Sequence, residues 1–257
     1  MKNKKYLDKF MIPFIIGVIA VIYSCLSPEK KDNATNSSKE LQKITLTKVV
    51  GSPEYENASL NVKAIEMVDK ESKFSFNIEN YDLGVQTSKN FDYQLANSAK
   101  GQHIHFIVNN GPYSAHYTDS FSKGFEKDSN VILAFLSRSY HESVKNKDAY
   151  ILTQVGESDI DIENEFLFYS RPKGTYKGAD TENLLLDFYL VNTEISKNGN
   201  KVRATIQNTE FIIDEWAPYY IKGLSKGEIN IKLELIDSSG NLIKTPFNPS
   251  TRKVILE

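Results

Sequence analysis

From residue 43 onward, short runs of β-branched and aromatic residues alternate with polar, turn-forming clusters. "KITLTKVV", "SLNVKAIEMV", "KFSFNIEN", "QHIHFIV" and "NVILAFL" occupy the first half of the chain. "EFLFYS", "LLLDFYLVN", "NKVRATIQ", "EFIID", "INIKLELID" and "RKVILE" occupy the second. Several of these runs alternate apolar and polar positions with period two, as strands with one buried face do. No long segment repeats its apolar residues every 3.6 positions, so long helices are not expected. Short strands at regular spacing predict an all-β protein of two tandem Ig-like β-sandwich domains.

The halves also resemble each other. "FNIENYDL" (76–83) aligns with "FYLVNTEI" (188–195), and "GQHIHFIVNN" (101–110) with "GNKVRATIQN" (199–208). "FSKGFEKDSNVILAFL" (121–136) aligns with "YIKGLSKGEINIKLEL" (220–235) after a slip of one residue. Three matches in the same order predict an internal duplication. The polar, acidic "GESDIDIEN" marks the boundary, giving a first sandwich over 42–156 and a second over 157–257.

The chain begins with a basic stretch, "MKNKKYLDKF", and an apolar run that ends just before Cys25, the only cysteine. This reads as a secretory signal over 1–24, too short for a comfortable membrane span of ~20 residues. "IYSC" resembles a bacterial lipobox, in which the cysteine carries the lipid, so Cys25 is the expected lipidation site. Residues 25–41 are polar and aperiodic, as a flexible tether between lipid and fold would be. The expected location is the cell envelope, lipid-anchored to a membrane. Leu26 after Cys25 favours the outer membrane.

Loss of residues 1–24 removes four lysines and one aspartate, so the net charge falls from −2 to −5. That balance excludes a basic nucleic-acid surface. A mature chain whose only cysteine is lipidated has no disulfide and no thiolate metal site.

The unusual chemistry is histidine. The chain has four, His103, His105, His116 and His141, all within one short region. In "QHIHFIV", Ile104, Phe106 and Val108 share one face of a strand and His103 and His105 the other, ~7 Å apart. The apolar set is expected to face the core and the histidines to point outward. Together with His116 and His141 they predict a copper or zinc site of neutral imidazoles. The aligned second half carries Lys201 and Arg203 in place of His103 and His105. His116 falls opposite Glu215, within the slipped residue. The scaffold therefore does not need the histidines.

Arg138, Tyr117, Tyr140 and Glu142 crowd the same stretches and form a candidate pocket for a peptide or an anion. Tyr113 is expected to pack against the sandwich edge, and Trp216 to anchor the second core or the contact between domains. Glu142 is the one candidate base for a metallohydrolase, but no nucleophile elbow, Walker loop or HExxH is present.

"GQHIHFIVNNGPYSAHY", "AFLSRSYHES" and "WAPYYIKGL" resemble a group of Bacteroidetes-type envelope lipoproteins, some catalogued as phosphopeptide-binding proteins. The resemblance implies a lipid-anchored binding protein with a protein or peptide partner, and supplies no catalytic residue. The expected function is non-enzymatic binding of a transition metal. Peptide or phosphopeptide binding is the alternative, and metal-dependent hydrolysis the third reading.

Overall fold

The computed structural model describes residues 43–257 except 69, 70 and 158. Cys25, the signal over 1–24 and the tether up to residue 41 lie outside the described residues. The strands are β1 (Thr45–Lys48), β2 (Ser59–Val68), β3 (Glu71–Glu79), β4 (His103–Val108), β5 (Ser114–His116), β6 (Ser120–Gly124), β7 (Asn130–Ser137) and β8 (Tyr150–Val155). They continue with β9 (Phe166–Arg171), β10 (Gly174–Tyr176), β11 (Leu184–Val191), β12 (Lys201–Ile206), β13 (Thr209–Ile213), β14 (Tyr219–Lys222), β15 (Gly227–Ile236) and β16 (Ser250–Leu256).

They form four sheets, ordered β2-β3-β6, β5-β4-β7-β8, β1-β14-β11-β9 and β10-β16-β15-β12-β13. Phe74 and Phe76 pack on Ile104, Phe106, Ile132 and Leu136 between the first two sheets. Leu167, Leu186 and Phe188 pack on Val202, Ile231 and Leu233 between the last two. The protein is thus all-β, two tandem Ig-like sandwiches.

A third apolar layer joins them. Ile107, Val131, Leu133 and Phe135 of the first sandwich meet Phe166, Phe168, Tyr189 and Val191 of the second. The two middle sheets are therefore covered on both faces. This explains why "NVILAFLS" and "LLLDFYLV" are apolar almost without alternation and buried at every position. At ~25 cal/mol per Å² of apolar surface, such a layer contributes as an internal core does.

One strand departs from the sequence-based division. "KITLTKVV" falls in the first half, yet β1 pairs antiparallel with β14 and completes a sheet of the second sandwich. Leu46 packs there against the second core. A four-residue edge strand satisfies its backbone on whichever sheet it meets, and its pattern carries no address.

The two sandwiches repeat one arrangement in detail. β4 pairs with β7 as β12 pairs with β15. His103 lies opposite Ser137, and Lys201 opposite Ile236, which places the one-residue slip between the paired strands. Asn80 and Asn192 both take a positive φ, 55° and 56°, after equivalent strands. Asn109 and Gln207 do the same at 50° and 54°.

Candidate metal centre

Three of the four histidines converge. The His103 Nε2 is 2.9 Å from the His105 Nε2 and 3.1 Å from the His141 Nδ1. One nitrogen from each ring falls within 4.8 Å of the others, a set that can hold a metal ion. Metal–nitrogen bonds of ~2.0–2.1 Å put adjacent ligand nitrogens about 2.9 Å apart at right angles and about 3.4 Å apart in a tetrahedron. The two short separations lie in that range.

Each ring is oriented by its other contacts. His103 Nδ1 faces the Gly101 carbonyl at 2.8 Å. A carbonyl only accepts, so Nδ1 carries the proton and Nε2 is left as a bare lone pair. The His105 Nδ1 lies 3.2 Å from the Ser170 hydroxyl, and its Nε2 is 3.2 Å from that of Ser137. Fixing the non-coordinating nitrogen in this way is how proteins aim a ligating imidazole. Tyr113 stacks on His105 with ring centres 3.5 Å apart, and its hydroxyl is 3.2 Å from the His141 Nδ1. One lone pair on His103 cannot accept linear hydrogen bonds from both neighbouring nitrogens. A cation at the point of convergence would satisfy all three.

Burial keeps these rings uncharged. His103 is pushed down to about 4, first by burial and then by the charges of Arg171 and Lys173. His105 and His141 are held well below the ordinary histidine value, burial again being the largest cause. The strand parity expected for "QHIHFIV" holds, but the histidines are not at the surface: His103 and His105 are fully buried. β9, which carries Ser170, lies over them, and of the three only His141 reaches solvent in part.

The backbone at His141 is revealing. Its φ is +70°, a conformation glycine adopts at low cost and a side chain does not. The N–H of His141 donates to the Arg138 carbonyl, as that of Gly240 donates to Asp237 in the second sandwich. Gly240 has φ +86°. The same turn thus uses glycine where its side chain does nothing, and histidine where an imidazole enters the cluster.

His116 does not join the cluster. It lies opposite Ile104 on β5, and the equivalent position opposite Val202 is Ile213, not Glu215. Its ring therefore turns to the first core, stacked 3.4 Å from Phe121, with its Nε2 2.8 Å from the Ser114 hydroxyl.

The expected anion pocket is also rearranged. The buried guanidinium of Arg138 donates to the carbonyls of Pro53 and Ser143 and pairs with the Glu142 carboxylate at 2.9 Å. Glu142 accepts from Ser52 at 2.5 Å, and the Tyr140 hydroxyl donates to Ser52 at 3.0 Å. These groups clamp the loop after β1 and hold the Arg138 guanidinium in internal bonds. They also hold the Glu142 carboxylate in other bonds than to the triad. Tyr117 does border the cluster, 5.1 Å from His103, with its hydroxyl 2.7 Å from that of Ser98. Trp216 anchors the contact between sandwiches, donating to the Phe188 carbonyl and meeting Tyr189 edge-on.

Ser137, Ser170, Arg171 and Lys173 belong to the surroundings of the triad and were not anticipated. Ser170 ends the apolar stretch "FLFYS", and Arg171 and Lys173 follow it in "RPK". A cationic pair ending a run buried on both faces is the signal that could have marked them.

No family model matches the chain, and no curated protein sequence matches it. Among solved structures it is similar to the fibronectin(III)-like modules of Clostridium thermocellum CbhA, at 11% identity over 84% of this chain and 94% of that one, with a TM-score of 0.29. It is also similar to the central fibronectin-III array of RIM-binding protein, at 10% identity over 81% and 72%, with a TM-score of 0.24. The tandem V-type regions of VCBP3, a v-region-containing chitin binding protein, align at 8% identity over 83% and 99%, with a TM-score of 0.23. At those scores the fold assignment rests on the sheets themselves.

Proposed function

We propose that this chain is a lipid-anchored, non-enzymatic protein of the cell envelope that binds one transition-metal ion, copper or zinc, through His103, His105 and His141. The carrying observation is the convergence of three imidazole nitrogens from β4 and the turn after β7. Their neutral state, the oriented second nitrogens of His103 and His105 and the side chain placed at positive φ support it. The envelope part of the reading rests on the basic, apolar start and on "IYSC". Burial of two of the three ligands suits holding an ion better than presenting it to a substrate.

Calorimetric titration of the purified chain with Cu(II) and Zn(II) tests this. One ion per chain is expected, with binding lost in the His103→Ala/His105→Ala double variant. Equal binding by that variant would refute the proposal.

A further inference from the structure

The triad is an all-neutral ligand set in cationic surroundings. The groups that orient it are the Gly101 carbonyl and the hydroxyls of Ser137, Ser170 and Tyr113. No carboxylate is among the converging donors. The nearby charges are instead positive. The Lys173 ammonium lies 3.8 Å from the centre of the Tyr113 ring, which itself stacks on His105. The Arg171 guanidinium lies 5.5 Å from the same ring. Lys173 donates to the Tyr113 carbonyl at 2.6 Å and Arg171 to the Tyr176 hydroxyl at 2.8 Å, both uncharged acceptors. The buried carboxylate of Asp187 is already paired with Lys145 and Ser143.

A metal ion here keeps its full charge. A dication on three neutral imidazoles brings two positive charges into a buried place beside two cations. Repulsion from those cations scales with the ion's charge, and the desolvation cost rises faster still. A monocation feels half the repulsion. Imidazole nitrogens suit copper, and copper is the candidate metal with an accessible monovalent state.

Building on the metal-binding reading above, we propose that the triad selects copper in its cuprous form, Cu(I), over Zn(II) and Cu(II), and that Lys173 and Arg171 set this preference. Lys173 and Arg171 act as positioning charges and touch no metal. In function this would suit a protein that holds or passes on reduced copper.

The test uses the full purified chain. Cu(I) affinity is measured without oxygen against a chromophoric cuprous chelator, and Zn(II) affinity against a zinc chelator. Cu(I) is expected to bind one per chain and on the order of a thousandfold more tightly than Zn(II). Lys173→Gln keeps a donor for the Tyr113 carbonyl and removes the charge. It should narrow the gap roughly tenfold, chiefly by tightening Zn(II). Zn(II) binding as tightly as Cu(I) overturns the proposal, and so does a gap that Lys173→Gln leaves unchanged. In both cases, binding that still disappears in His103→Ala/His105→Ala keeps the metal reading. No binding of any ion overturns both.

Discussion

His141 and Gly240 stand at the same point of the same turn, each N–H donating to a carbonyl three residues back. His105 and Arg203 stand at the same point of the strand before it. The difference lies in what covers them. In the second sandwich that face of β12 is partly open, and Arg203 pairs with Glu234 at 2.9 Å, where Lys232 also reaches. In the first, a second sheet closes over the face, and charged side chains would be buried. Neutral imidazoles with oriented protons take their place. The same backbone thus yields a partly open ion-pair network or a buried ligand set, according to which face is covered.

Truncation should separate the covered face from the open one most strongly. In the metal-free protein, His105→Ala removes a buried ring stacked on Tyr113 and should cost ~2–4 kcal/mol in urea unfolding. Arg203→Ala, on the open face, should cost under ~1 kcal/mol. Equal costs would show that the cover does not matter.

Metal should then stabilise only the covered copy. At a free ion concentration a hundredfold above Kd, binding adds ~2.7 kcal/mol. The rise in Tm is expected in the wild type and absent in His103→Ala/His105→Ala, by calorimetric scanning.

A smaller effect separates His116 from the triad. Burial, with the charge of Lys123 after it, lowers His116 to about 4. Its folded pKa lies below the unfolded value, so the unfolded chain takes up the proton first as pH falls. The stabilising contribution is complete above ~6.5 and is lost progressively down to about 4. His116→Ile, which installs the residue of its Ile213 twin, should flatten the acid-side loss by about 1 kcal/mol, discounted for the partial exposure of the ring. Metal affinity should stay unchanged.

The smallest change in stability is expected at His141. His141→Gly restores the residue the second copy uses. Stability of the metal-free protein should hold or rise by up to ~1 kcal/mol, while metal affinity falls at least roughly tenfold. A loss of stability would show that the imidazole serves the fold.

The strands, the duplication and the facing of His103 and His105 were legible because period-two alternation directly encodes which side a residue takes. The burial of those two histidines was not, because it depends on a sheet some 65 residues further along, signalled only by Ser170 and its cationic neighbours. His116 was misplaced for a local reason. The hairpin leading into β5 is one residue longer than its counterpart leading into β13, so carrying the alignment across it points to Glu215 instead of Ile213. Arg138 and Glu142 looked like free chemistry because sequence does not show that they satisfy each other at 2.9 Å. Their spacing of four, read without a helix, gave no warning.

The pairing of β1 with β14 also bears on how the molecule comes together. The strand that finishes the second sandwich is made before any of the first, and its partner follows more than 170 residues later. The first sandwich is therefore looped between two parts of one sheet, and neither half is a free-standing bead on a string. Closing that sheet depends on contacts distant along the chain, which folds slowly and holds the ends together once formed. A pull on the chain ahead of Thr45 would load the second sandwich, leaving the histidine-bearing one shielded from the strain.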